Sequence, residues 1–312
     1  MTEPIHIAVA IVGYRNCADI SRCLDALQQS THQDFEVVIC ENGGPDAFAT
    51  LSAAVPQTLS GGQSIRVLQA PRNLGYAGGI NACIRASADA EAWWVLNPDT
   101  EPHPEAMAAK LARLAVGDCD AVGCTLHSPG DKVESHGGYW QSSLARAVSI
   151  GHGDSLDSRP NVVAIEQRQN YLNGASIMIG RRFYEVVGPM REDYFLYCEE
   201  VEWCLRGVRR GMRLGFAPSA MVLHRQGTTT GRVADMSKRS RAAVYLFERN
   251  KILLTVDCFP KQLPLVAATT LGVLLTKYGR RGAWRQLCFG LRGWMGGLRD
   301  ERGAPRWFEA DS

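Results

Sequence analysis

The chain has no apolar run long enough to cross a bilayer. Its longest largely apolar stretch, Leu263 to Thr276, is 14 residues with Pro264 near its start, against the ~20 that a spanning helix needs. No secretory leader is legible: Met1 to His6 runs straight into a strand-like segment, without a basic region, an apolar block or a small-residue cleavage site. A cytoplasmic location is therefore expected. No C-x-x-C pair occurs among the ten cysteines, the nearest neighbours being Cys119/Cys124, Cys17/Cys23 and Cys198/Cys204, so no zinc framework is available. Several of them (Cys40, Cys83, Cys204) sit in apolar runs, where a free thiol acts as a small hydrophobe and suits a reducing compartment. There is also no excess of one charge, since 34 Lys+Arg against 32 Asp+Glu leave +2, too little to draw the whole chain to nucleic acid. Repeats and low-complexity tracts are absent.

What is present is a globular chain of 312 residues, 46% of them hydrophobic, enough for one large core with a smaller appendage. Strand-like runs at Ile5 to Val12, Val37 to Cys40, Ile65 to Leu68, Trp93 to Leu96 and Ala121 to Cys124 alternate with helix-period segments. The latter are marked by Ile20, Leu24 and Leu27, by Ile80 to Ser87 and by Pro104 to Leu114. Such alternation predicts an α/β fold with a mostly parallel, Rossmann-like central sheet flanked by helices. Ligands of such sheets bind where loops leave the carboxyl ends of the strands. That directs attention to Gly13 to Arg15, Glu41 to Gly44, Asn73 to Asn81 and Asn97 to Thr100. From Thr125 to Asn170 the pattern loosens into an inserted loop or small antiparallel region, and order returns at Tyr171 to Ile179.

Four segments carry candidate chemistry. Asn97-Pro98-Asp99-Thr100 follows an apolar strand, so Asp99 would project at the sheet edge, where a carboxylate could hold a divalent cation against a diphosphate; taken alone it is also an ordinary Asx/Pro turn. Asn73 to Asn81 is a glycine-rich entry into a helix, suited to a close ligand approach or simply to a tight loop, and its spacing is not that of a dinucleotide fold or a Walker loop. Glu199, Glu200 and Glu202 fall in the first turn of a helix whose apolar stripe is Val201, Leu205, Val208 and Met212. There they could complement the helix dipole or keep a proton-accepting carboxylate ionised. Ala217 to His224 is an apolar strand ending in histidine, followed by the flexible Gln226 to Gly231; the imidazole is either structural or a second metal ligand beside Asp99.

In this order and at these spacings the segments, spanning Ile7 to Lys251, resemble glycosyltransferase family 2, and its rhamnosyltransferase-like members in particular. The resemblance implies a GT-A fold over residues 1–257, with 258–312 as a basic helical extension. It implies that Val12, Tyr14, Arg15, Glu41 and Asn42 hold the nucleoside, that Asn73, Gly75, Gly78 and Asn81 line the nucleotide pocket, and that Asn97-Pro98-Asp99 stands for the D-x-D signature. Asp99 and His224 would bind Mg²⁺ or Mn²⁺, and Glu200 would be the base. Many relatives have Asp where this chain has Glu41, Glu200 and Glu202, and Asn97 gives the first D-x-D position no charge. The implied activity is metal-dependent, inverting transfer of a hexose, L-rhamnose first, from a dTDP- or UDP-linked donor. Its acceptor would be a saccharide or polyprenyl-linked saccharide of cell-surface polysaccharide synthesis.

Two other classes compete. A sugar-nucleotide pyrophosphorylase would need a Gly-rich, basic phosphate loop after the first strand, which Gly13-Tyr14-Arg15-Asn16 does not supply; a non-catalytic scaffold subunit would share the fold without turnover. At the C-terminus, seven Lys/Arg and no Asp/Glu lie between Lys261 and Arg299. Trp284, Leu287, Leu291, Trp294 and Leu298 recur there at helical spacing. This reads either as an interfacial helix against an anionic inner membrane face or as a helix packed on the catalytic domain with a solvated basic side. The continuous apolar face suits lipid better than nucleic acid.

Overall fold

The computed structural model describes residues 6–225 and 238–308; Ile5 and the segment Gln226 to Gly231 lie outside them. Strands β1 (Ile7–Gly13), β2 (Phe35–Glu41), β3 (Ile65–Gln69) and β4 (Ala92–Leu96) follow the apolar runs. Helices α1 (Cys17–Leu27), α2 (Pro45–Ala54), α3 (Gly75–Ala86) and α4 (Ala106–Ala115) follow or connect them. The sequence pattern gives no sign of α2 because only Leu51 of that helix is buried, so it has no apolar stripe to read. After the short β5 (Thr100–Pro102) come β6 (Ala121–Ser128), β7 (Lys132–Ser135), the hairpin β8 (Gly138–Gln141) and β9 (Arg146–Ser149), and α5 (Val162–Arg168). The loosely patterned region is thus built of short antiparallel pairs. Then follow β10 (Ser176–Gly180), α6 (Arg181–Val187), α7 (Glu199–Arg209), β11 (Leu214–His224) and helices α8 (Arg241–Cys258), α9 (Leu263–Gly279) and α10 (Trp284–Leu298).

Among the described residues the main sheet has nine strands in the order β3-β2-β1-β4-β10-β6-β11-β5, with β7 paired to β6. β10 is antiparallel to both neighbours and β5 to β11; β1 to β4, β6 and β11 run in one direction. Both faces are covered, which explains why β1 reads as a continuous apolar run. Its side chains still alternate: Ala8, Ala10 and Val12 join the core under α3, α7 and α8, while Ile7, Val9 and Ile11 join the one under α1 and α4.

The C-terminal helices are packed onto this body. Ile252, Leu253 and Leu254 of α8 and Val266 of α9 share a buried cluster with Trp93, Val95 and Ile177 of the sheet. The boundary expected at residue 257 falls one residue short of the end of α8. α10 packs on the body with its arginines exposed, as one of the two readings has it, but largely through another row of residues. Its buried face is Gln286, Leu287, Gly290, Gly293, Gly296 and Gly297, while Trp284 and Leu298 are 64% and 43% exposed. Glycine decides this, because a Cβ on Gly293 would collide with the Tyr245 carbonyl oxygen and one on Gly297 would stand 2.7 Å from the Arg249 carbonyl oxygen. The two backbones meet where no side chain fits.

Gly293→Ala is accordingly expected to lose about 1–3 kcal/mol by chemical denaturation, the range of overpacking. Gly272→Ala in α9, where an added Cβ meets nothing within 4 Å, should be neutral or gain about 0.5–1 kcal/mol from helix propensity.

Candidate active site

Because β1, β2, β4, β6 and β11 are parallel, their carboxyl ends share one edge of the sheet. Gly13 stands opposite Glu41, and Ile11 opposite Leu96. β10 runs the other way, so it enters at this edge with Ser176 opposite Leu96, bringing Asn173 to Ala175 alongside. β5 folds back along β11, with Thr100 opposite His224. That pairing puts Asp99 beside the imidazole across 125 residues of sequence.

His224 Nε2 lies 3.5 Å from Asp99 Oδ1, and its Nδ1 lies 2.8 Å from Glu134 Oε2; all three side chains are largely buried. Burial would lower the imidazole's pKa, but the hydrogen bonds to Asp99 and Glu134 outweigh it and raise the value from 6.5 to about 9. This donor set fits a divalent cation. With a cation bound, the imidazole would be neutral, its Nδ1 proton held by Glu134 and its Nε2 lone pair free for the metal beside Asp99, the arrangement by which an outer carboxylate orients a metal-binding histidine. Adjacent ligands of an octahedral ion with bonds of ~2.1 Å are about 3 Å apart, close to the spacing seen. Among the described residues no group of three or more His, Cys, Asp or Glu could hold a metal. The site thus resembles those in which one or two protein ligands leave the remaining positions to diphosphate oxygens and water. Glu134 was missed in the sequence because it sits on the four-residue β7, in the stretch without periodicity.

The acidic turn is built by strain. Phe195, Tyr197 and Cys198 have φ of 67°, 74° and 70°, conformations that cost a non-glycine residue about 1–2 kcal/mol each. Two buried side chains of α8 hold them. Asn250 donates its two amide hydrogens to the carbonyls of Tyr194 (3.0 Å), Leu196 (2.7 Å) and Tyr197 (2.8 Å), and Arg249 donates to Tyr194 (2.9 Å). From the other side the Tyr76 amide donates to the Phe195 carbonyl (2.8 Å). Gly75, at φ +72°, has that same carbonyl where a Cβ would be. The closest approach to this glycine is therefore made by the protein's own backbone.

The loop delivers Glu199, Glu200 and Glu202 to the first turn of α7. Glu202 is paired with Arg206 at 2.9 Å and is structural. Glu199 is 2% exposed, and its Oε2 has no hydrogen-bond partner among the described residues. Its pKa is pushed well up by burial and then by Glu200. Glu200 is partly accessible and lies against Gly174, where an added Cβ would be 3.2 Å from Glu200 Cγ. Burial raises its pKa too, and the amides of residues 198, 200 and 201 pull it back. Tyr76, which the sequence reading did not single out, links the two halves. Its hydroxyl hydrogen is shared between Asn97 Oδ1 (2.9 Å) and the Gly174 carbonyl (2.8 Å). Burial raises the phenol's pKa, as do the nearby charges of Glu199, Glu200 and Asp99.

A separate cleft of about 450 Å³ opens at the ends of β1 and β2, lined by Arg15, Cys17, Glu41, Gly43 and Asp46 among others. Glu41 is buried and accepts hydrogen bonds from the amides of Gly43 (2.7 Å) and Arg15 (3.1 Å). Arg15 Nε donates to the Gly43 carbonyl at 3.1 Å, and its guanidinium lies 5.4 Å from the Tyr14 ring. The other candidates face the protein. Val12 packs on Gly79; Asn42 donates to the Gly75 carbonyl (2.8 Å); Asn73 Oδ1 accepts from the Gly75 amide (2.9 Å); a Cβ on Gly78 would meet Leu74. Asn81 is 1% exposed and bound to both backbone groups of Met190 and to Glu192.

Without divalent cations, the raised His224 pKa stabilises the fold fully below about pH 6.5 and loses that effect as pH rises through about 9. In chelator-treated protein the stability gap between wild type and His224→Asn should narrow over that interval by up to about 3 kcal/mol, read from denaturant titrations at each pH.

Residues 8–172 match the model of the family described as "Glycosyl transferase family 2". The "Low-salt glycan biosynthesis hexosyltransferase Agl10" of Haloferax volcanii is 24% identical over 86% of this chain and 82% of its own length. The "N-acetylglucosaminyl-diphospho-decaprenol L-rhamnosyltransferase" of Mycobacterium tuberculosis is 27% identical over 72% and 78%. Among solved structures, the mannosyltransferase PcManGT of Pyrobaculum calidifontis, in complex with GDP-Man and Mn²⁺, superposes with a TM-score of 0.57 at 15% identity, covering 96% of this chain and 89% of that one. The fold is GT-A: a mixed central sheet, helices on both faces and a helical C-terminal region. With more than half its length matched by the family model, the chain belongs to glycosyl transferase family 2 and is a glycosyltransferase acting on a nucleotide-sugar donor.

Proposed function

We propose that this enzyme transfers a hexose with inversion from a nucleoside diphosphate donor to an acceptor hydroxyl, using Mg²⁺ or Mn²⁺. The observation that carries the reading is that Asp99 with His224, and Glu200, are two carboxylate sites that both bear on one partly buried phenol, Tyr76. A cation between Asp99 and His224 would neutralise the departing diphosphate. Glu200 takes the proton of the acceptor hydroxyl as its oxygen bonds to the anomeric carbon. The bond from that carbon to the diphosphate oxygen breaks on the opposite face, and its electron pair leaves with the nucleotide. Arg15 and Glu41 place the nucleoside in the cleft beside β1 and β2, with Val12, Tyr14, Asn42, Asn73, Gly75, Gly78, Asn81 and Asn97 shaping the loops that bound it.

The rhamnosyltransferase relative favours L-rhamnose as the sugar; the donor would then be dTDP-L-rhamnose, with a UDP-sugar second. A polyprenyl-linked saccharide is the favoured acceptor, in cell-surface polysaccharide synthesis at the inner membrane face. Catalysis resides in residues 1–257, and 258–312 serve attachment. Turnover of a nucleotide sugar with Mn²⁺ separates this reading from a non-catalytic scaffold subunit.

Glu200→Gln is expected to bind donor normally and turn over at least about a hundredfold more slowly; near-normal turnover would remove Glu200 from the role. The wild-type rate should rise with pH through a midpoint above the ordinary glutamate value of about 4.3, because the raised pKa keeps the base protonated below it. Asp99→Ala should abolish metal-dependent donor binding, and calorimetry showing donor affinity indifferent to that change or to chelator would refute the metal assignment.

A further inference from the structure

Beside the proposed base stands a second phenol, Tyr171, whose polar end the protein leaves unused. The residue is 6% exposed, yet among the described residues its hydroxyl makes no hydrogen bond, and its oxygen is not one of the atoms sealed from solvent. A tyrosine buried to that depth ordinarily finds an acceptor within the protein, because an unmade hydrogen bond there is costly. Gly138 makes room for the group. A Cβ on that glycine would stand 2.3 Å from the Tyr171 hydroxyl, and the two residues exchange backbone hydrogen bonds of 3.1 and 3.2 Å. The segment that follows lies along the head of α7. The Leu172 amide donates to Cys204 Sγ at 3.4 Å, and Gly174 packs on Glu200, with 3.2 Å between an added Cβ and Cγ. Burial, and then the charge of Glu200, raise the phenol's pKa. At neutral pH the hydroxyl therefore keeps its hydrogen.

The chemistry of the acceptor says what such a hydrogen is for. A hydroxyl that gives its proton to Glu200 must stand next to that carboxylate, and on a sugar it brings oxygens on the adjoining carbons with it. Water or a simple alcohol brings none. A polar group beside the base, free of contacts within the protein, can bind such an oxygen without breaking anything. We infer, taking Glu200 as the base, that the Tyr171 hydroxyl belongs to the acceptor site and donates to an oxygen neighbouring the attacking one. The acceptor class this selects is a saccharide with a hydroxyl or acetamido oxygen next to the hydroxyl that reacts. The region between Thr125 and Asn170 then has a task. Its β8–β9 hairpin, through Gly138, sets the ring of Tyr171 and with it the place of the acceptor sugar against Glu200.

The test is titration of the full chain, with Mn²⁺ present, by the methyl glycosides of glucose, galactose, mannose and N-acetylglucosamine, followed by saturation-transfer NMR in wild type, Tyr171→Phe and Tyr139→Phe. At least one glycoside should bind the wild type, and Tyr171→Phe should weaken it about three- to tenfold, the worth of one uncharged hydrogen bond. Tyr139→Phe removes the same oxygen from the opposite face of β8 and should leave the affinity within about twofold. Because the Tyr171 hydroxyl bonds to nothing in the described residues, Tyr171→Phe should unfold at the same denaturant concentration as wild type or a higher one. A lower midpoint would make the hydroxyl a structural group and overturn the proposal. So would an affinity indifferent to Tyr171→Phe, an equal loss in Tyr139→Phe, or a wild type that binds none of the glycosides. Turnover is read separately from binding. A wild type that binds glycoside through Tyr171 but transfers no sugar from a dTDP- or UDP-linked donor would count against the glycosyl-transfer reading and leave the saccharide contact standing.

Discussion

The structure depends most on one buried contact: Asn250 and Arg249, in the middle of α8, donating to the carbonyls of Tyr194, Leu196 and Tyr197. Those carbonyls belong to a loop with left-handed backbone at Phe195, Tyr197 and Cys198. Such a loop keeps its shape only when its surroundings over-determine it. The same arginine donates to the Gly303 carbonyl at 2.7 Å. Nearby, Arg302 grips Asp257 with two hydrogen bonds of 2.9 and 3.0 Å, and Tyr194 donates to that carboxylate at 2.7 Å. The C-terminal chain is therefore a strut for the loop that carries the proposed base. Gly293 and Gly297 belong to the same construction, because they let α10 lie against α8 at the level of Tyr245 and Arg249.

A second construction holds the opposite side of the site. β11 runs parallel to β6 and antiparallel to β5, so one strand end sets His224 against both Asp99 and the hairpin that bears Glu134. Tyr76 joins the two constructions, since its amide touches the strained loop while its hydroxyl reaches Asn97 and Gly174. Asn97, at the first position of the D-x-D-like triplet, acts here as a neutral acceptor for that hydroxyl. A charged partner would add to the three carboxylates already bearing on a partly buried phenol.

How far the sequence foretold this follows from which forces leave a local trace. The strands β1, β2 and β4 were legible because both faces of the sheet are buried, which makes each an unbroken apolar word. The places of Asp99, Glu200 and His224 in the fold were legible because each ends or begins an element with a clear pattern. Glu134 and the Arg249–Asn250 pair were not, since their partners lie about 50 to 90 residues away and a polar pair within a helix looks like a solvated face. The Asn73 to Asn81 segment was located correctly as a strand-to-helix passage. Its glycines, however, answer chiefly to the Phe195 carbonyl, Leu74 and Val12. In α10 the Trp/Leu row is only partly turned inward, with Leu287 buried, Leu291 and Trp294 half-buried and Trp284 and Leu298 exposed, because glycine permits a backbone approach that apolar side chains would prevent.

The neighbouring glutamates at the head of α7 bear on which one can act as a base. Both are raised by burial, but Glu199 is raised well above the usual range and feels Glu200 as a further cause. Two buried carboxylates side by side do not both ionise readily. Burial raises both, but Glu199, 2% exposed, is raised further by its neighbour's charge, whereas the amides of residues 198, 200 and 201 pull Glu200 back, which favours the proton on Glu199. Environments that push a pair apart in this way assign roles to its members. On the proposed mechanism Glu199 stays neutral and keeps a second negative charge out of the turn, which leaves the accessible Glu200 as the carboxylate able to receive a proton.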